Sequence, residues 1–144
     1  MENVECRNGA GGIENRQAVR KQRDIQERSF NFAVQIVRLH RHMAQQGSAG
    51  RVLGAQLLRS GTSIGANLEE ASGGHSRADF VAKCVTALKE ARETHYWLRL
   101  IAASETLQHH ELTPAINEAG ELIAILTTIS KNTRAANRSA SPEP

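Results

Sequence analysis

Residues 56–98 read QLLRSGTSIGANLEEASGGHSRADFVAKCVTALKEARETHYWL, and the fold follows from them. Leu57, Gly61, Ile64, Leu68 and Ala71 recur every three or four positions, the spacing of one face of a helix. Gly73-Gly74 then breaks the pattern. Ser76, with Asp79 three residues on, supplies an N-cap for a second helix with Phe80, Cys84, Ala87, Ala91, Leu98 and Ala102 as its stripe. Two helices joined by a few residues must fold back on each other. Gly61 and Gly65 weaken the first of them, at about 1 kcal/mol each relative to Ala, but they admit a neighbouring backbone.

The same spacing extends outward in both directions. Phe32, Ile36, Leu39 and Met43 predict a helix over 29–46, with Gln35, Arg38 and His42 turned away and Gly47 stopping it. The two central helices then span 48–72 and 76–103. Thr113 as cap and Pro114 at the first helical position start a fourth helix, which Ala115, Ala119, Leu122, Leu126 and Ile129 carry to 134. Residues 1–27 and 135–144 have no sustained period and read as mobile tails, the first with a helical end as the alternative. The expected architecture is all-α: one domain over 28–134, an antiparallel up-down-up-down four-helix bundle.

Composition agrees. The chain has 144 residues, 40% apolar and 23% charged, which suits one soluble domain. Only 3% are aromatic, so the core is built of Leu, Ile, Val and Ala, and three prolines leave nearly the whole chain free to be helical. No apolar run approaches the ~20 residues of a membrane span, and the first residues lack the apolar segment of a secretory signal. Cys6 and Cys84 make no disulfide framework, and reduced thiols in a cytoplasmic protein are expected.

The net charge of +3 is unevenly spread. Between Arg28 and Leu68 there is no acidic residue, while Arg28, Arg38, Arg41, Arg51 and Arg59 are basic. Glu105, Glu111, Glu118 and Glu121 then follow in a stretch without Lys or Arg. Two readings fit: a basic helix lying beside an acidic one, or a basic face for a polyanion. In the second, Arg38, Arg41, Arg51 and the arginines of the N-terminal segment are the nucleic-acid contacts, made to phosphates.

Some residues fall off the core stripes. At 100° per residue, Trp97 lies about 120° from the centre of the third helix's apolar face, and Tyr96 farther round. Arg59, Ser63, Ala66 and Glu70 share the outer face of the second helix, a patch of small residues with one cation and one anion. These six are candidates for contact between subunits. In that reading Arg59 and Glu70 pair with Glu90, Glu93 or Arg92 of a partner.

The spacing Gln56, Leu57, Arg59, Ser63, Ile64, Asn67, Leu68, Glu70, followed by Ser76, Asp79 and Phe80, resembles the signature of the four-helix-bundle proteins named after 23S rRNA intervening sequences. Lys89, Glu90, Glu93, Tyr96 and Trp97 match one branch of that family, and the resemblance covers about residues 29–134. Ala71 stands where many members have Gly, which shifts the turn to Gly73-Gly74, and the long N-terminal segment lies outside the family pattern. The resemblance implies a bundle that assembles into a homo-oligomeric ring, a homopentamer. Some members are similar to the accessory protein of diversity-generating retroelements, a basic pentamer that binds nucleic acid and a reverse transcriptase.

An enzyme is not expected. A di-iron bundle needs Glu-x-x-His on two helices, and no Glu here is followed by His three residues later. His40 and His42 diverge by about 200° on a helix, and His109-His110 has no further ligand at fixed spacing. No catalytic residue, metal or cofactor is expected. The functional expectation is an oligomeric nucleic-acid-binding protein serving as a reverse-transcriptase accessory, with a purely structural adaptor as the alternative.

Overall fold

A computed structural model describes residues 10–74 and 76–139. It is an all-α four-helix bundle: α1 (Ala10–Met43), α2 (Gly47–Ser72), α3 (Arg77–Ala103) and α4 (His109–Ser139). No strand occurs among the described residues. Phe32, Ile36, Met43, Leu57, Ile64, Leu98, Ile101, Leu112, Leu122 and Leu126 interlock at its centre, each less than 2% exposed. All four predicted stripes face this core. It also takes in Leu88, Thr94, Ile101 and Leu112, which the stripes omitted.

The inner helices follow the expected bounds closely. Ser76 adopts an extended backbone and caps α3: its hydroxyl accepts from the Asp79 N–H at 3.1 Å and donates to the Asp79 carboxylate at 2.8 Å. Gly73 closes α2, its N–H donating to the Ala71 carbonyl. Between α2 and α3 the fully buried Ser60 and Thr94 hydroxyls meet at 3.0 Å, so neither is left without a partner in the core.

The outer helices are longer than expected. Helix α1 begins at Ala10, so residues 10–27, expected as tail, are helical. Ile25 from that segment joins the core at 4% exposure, and Gln26 donates to the Leu68 carbonyl at 3.5 Å. At its other end α1 stops at Met43, and Gly47 opens α2 with a positive φ of 78°. Helix α4 runs to Ser139, past the expected end at 134.

Helix α4 also starts earlier, at His109 rather than Pro114. Thr113 is not its cap: inside the helix, its hydroxyl donates to the His109 carbonyl at 2.9 Å. The capping role belongs to Glu111, whose carboxylate accepts from the Gln108 N–H at 3.3 Å, the return half of a capping box. Pro114, itself exposed, removes only the single bond that would have reached the His110 carbonyl, within the first turn and a half of the helix.

The end of α3 is a Schellman turn: Thr106 N–H donates to the Ile101 carbonyl at 3.2 Å and Glu105 N–H to the Ala102 carbonyl at 3.1 Å. The left-handed position in it is occupied by Glu105, at φ 55°, where glycine is usual. Helices α1 and α4 are the least tightly packed neighbours, and ion pairs join them. Arg28 donates to both oxygens of Glu118, at 2.5 and 3.0 Å, and lies 4.0 Å from Glu121. His42 lies 3.3 Å from Glu111. The basic helix α1 therefore lies beside the acidic first half of α4, where Glu111, Glu118 and Glu121 sit; Lys131, Arg134 and Arg138 follow in its second half.

Candidate functional site

The predicted basic contacts fall around one end of the α1–α2 hairpin. Arg38 and Arg41 project from the last turns of α1, and Arg51 from the start of α2 across the turn that Gly47 makes possible. All three are exposed, and none takes part in an ion pair among the described residues. Arg28, by contrast, is partnered by α4, and the Glu118 carboxylate hydrogen-bonded to it raises its pKa further.

The six residues expected at a subunit contact separate into two groups. Arg59 and Glu70 find opposite charges within their own chain. The Arg59 guanidinium donates to Glu93 and lies 3.6 Å from Glu90, both on α3, and the Lys83 ammonium donates to Glu70. The partners foreseen on another subunit are thus met by intrachain neighbours, because the α2–α3 turn brings those faces together. Ser63 turns its hydroxyl back to donate to the Arg59 carbonyl at 2.6 Å, and Ala66 is exposed.

Tyr96 and Trp97 also differ from one another. The indole is half-buried, packed against the core from outside, and its N–H donates to Glu93 at 3.1 Å. Glu93 therefore accepts from both Arg59 and Trp97. These two hydrogen bonds, Arg59 first, hold its carboxyl below the ordinary 4.5. The same Glu93 contact raises the Arg59 pKa. Tyr96 stands edge-on to Trp97, with ring centroids 5.1 Å apart, and is 54% exposed. The rings are not equivalent: one is tied into a polar triad and the other faces outward.

Charge arithmetic over whole segments concealed a second basic line. Lys89, Arg92 and Arg99 flank Tyr96 on the outer face of α3, at positions i, i+3, i+7 and i+10, all exposed and without an ion pair among the described residues. The alternation of Glu with these cations hid them from a reading by segment; a reading by helix face would have found them.

Among the described residues, no three His, Cys, Asp or Glu side chains cluster to hold a metal ion. His109 instead places its Nδ1 3.0 Å from the Thr113 hydroxyl. Cys84 is buried and unpaired with another thiol, and burial pushes its pKa up to about 11. Cys6 lies outside the described residues. No helix among the described residues is long and apolar enough to cross a membrane.

Residues 21–128 match the family model described as 23S rRNA-intervening sequence protein. A crystal structure of a protein of unknown function from the S23 ribosomal protein family of Bacteroides thetaiotaomicron is 41% identical, with a TM-score of 0.71. The similarity covers 77% of this chain and 98% of that one. No curated protein matches the chain. The motif of α2 and α3, the bundle they build and the extent of these matches agree: the chain belongs to the 23S rRNA-intervening sequence protein family.

Proposed function

We propose that this protein is a non-enzymatic, oligomeric bundle, its helices running antiparallel in up-down-up-down order, that binds nucleic acid through phosphate contacts at Arg38, Arg41 and Arg51. One observation carries this reading. The cations that fold the chain (Arg28, Arg59, Lys83) have carboxylate partners, whereas these three are exposed at one end of the hairpin with no ion pair among the described residues. A cation without an internal counter-charge is available to a phosphate. An adaptor that engaged a protein through the acidic side of α4 is less well supported, because Glu111 and Glu118 are already engaged by His42 and Arg28.

Assembly into a ring, a pentamer by the family resemblance, is part of the same proposal. The exposed Tyr96 and the small outer face of α2 at Ser63 and Ala66 support it. A reverse transcriptase is the protein partner that the retroelement resemblance favours, with the cytoplasm as the setting.

Affinity for a labelled oligonucleotide, measured from 50 to 200 mM salt, tests the phosphate mechanism. Binding should weaken steeply, and the triple variant Arg38→Ala, Arg41→Ala, Arg51→Ala should flatten the log–log slope by about 0.7–0.9 for each phosphate it no longer neutralises. An affinity that does not respond to salt rejects the proposal.

A further inference from the structure

The exposed face of α1 carries more than the two predicted arginines. At 100° per residue, Arg16, Arg20, Arg23, Phe30, Val34, Arg38 and Arg41 fall within about 40° of one line, opposite the buried Ile25, Phe32 and Ile36. The arginines occupy its two ends. Phe30 stands between them with 63% of its surface exposed, whereas Phe32, two residues on, is 1% exposed. Beside it, Val34 is 36% exposed. No arginine of this line takes part in an ion pair among the described residues.

We infer that the outer face of α1 is a track for single-stranded nucleic acid, with phosphates on the two arginine clusters and a base stacked on Phe30. This rests on the nucleic-acid reading above and goes beyond it by naming the strandedness and the stacking residue. Arg16 to Arg41 spans about 38 Å at ~1.5 Å per residue, room for about eleven phosphates at the ~3.4 Å per-strand spacing of stacked bases. That length is comparable to the ~4–16 nucleotides that a single OB fold occupies on a strand.

A ring exposed on a basic helix offers its face to any base, and only an unpaired base can be turned onto it. A duplex presents phosphates alone, so the phenylalanine would gain nothing from it. The pattern also disfavours a second copy of α1 on this face. Antiparallel pairing centred on Phe30 would set Arg38 and Arg41 opposite the Arg20–Arg23 turns, with only the exposed Glu27, which lies on the line itself three residues before Phe30, to offset them.

The test uses the full chain, a labelled twelve-residue oligo(dT) and a twelve-base-pair duplex, with binding followed by anisotropy. Phe30→Ala should weaken oligo(dT) binding about 5- to 150-fold with an unchanged salt slope, leave duplex binding as it was, and be rescued by Phe30→Tyr. Because Phe30 is exposed, the alanine variant should keep its helical circular dichroism and sedimentation. If Phe30→Ala leaves oligo(dT) affinity unchanged, or dissociates the assembly without changing that affinity, the stacking assignment is overturned and the salt-dependent phosphate reading survives. If the wild-type chain binds neither probe, both fall.

Discussion

Ile36 packs so closely over Gly61 that a β-carbon on the glycine would stand 2.8 Å from Ile36 Cγ1 and 2.9 Å from Cγ2. Ile is branched at Cβ and cannot swing away within a helix. The next glycine on the helix, Gly65, has more room: there a β-carbon would meet the Ser29 carbonyl and hydroxyl at 3.5 Å, an ordinary contact. Gly61→Ala should therefore destabilise the bundle, since overpacking of about 1–3 kcal/mol exceeds the ~1 kcal/mol gained in helix propensity. Gly65→Ala should be neutral or stabilising by up to about 1 kcal/mol. Urea unfolding followed by the fluorescence of Trp97, the single tryptophan, checks both; equal effects would mean that the close approach at Gly61 is not real.

Glu105 occupies a left-handed turn position at a cost that a glycine would not incur. Glu105→Gly should raise stability by about 1 kcal/mol, seen as a higher urea midpoint with an unchanged slope. A lower midpoint would indicate that the Glu105 side chain stabilises the α3–α4 turn more than its backbone conformation costs.

Glu93 ties Arg59 of α2 to the Trp97 indole, and its pKa is depressed in the folded state by those two hydrogen bonds. The sign follows from linkage. The stabilisation is complete above the ordinary value of 4.5 and is lost as pH falls through the lower folded-state value. Trp97 emission should therefore change with acidification below pH 4.5, and Glu93→Gln should show that altered emission already at neutral pH. A variant with wild-type emission across the whole titration contradicts the triad.

Burial places the Cys84 thiol at about 11, so at pH 8 only about one molecule in a thousand would carry the reactive thiolate, even with access. Peptide mapping after iodoacetamide treatment should find Cys84 unmodified in the native protein and fully alkylated in urea. Rapid native labelling would place Cys84 outside the core.

Helical periodicity in α2 and α3 was enough to locate both helices, their turn and the Ser76 cap, because those signals are local: each depends on residues within about one turn of each other. Gly61 announced a close approach, although only the packed structure identified Ile36 as its neighbour and separated Gly61 from Gly65. The outer helices were legible only where they face a full core. Residues 10–27 lack an apolar stripe, yet they continue α1, with Ile25 in the core and Arg28 held by Glu118. Pro114 gave a strong start signal, but Glu111 provided the cap one turn earlier.

For the candidate site the division is similar. The amino-acid order alone determined the helical bundle, the family signature and the basic character of α1, since patterning and composition act through nearest neighbours along the chain. Which charges are consumed by folding was a tertiary matter. Arg59 and Glu70 meet carboxylate and ammonium groups of α3 that the hairpin brings alongside, and Arg28 meets α4, while Arg38, Arg41 and Arg51 face outward. The contrast between Phe30 and Phe32 is also tertiary: two residues on a helix differ by about 200°, and only the position of the core decides which ring it covers.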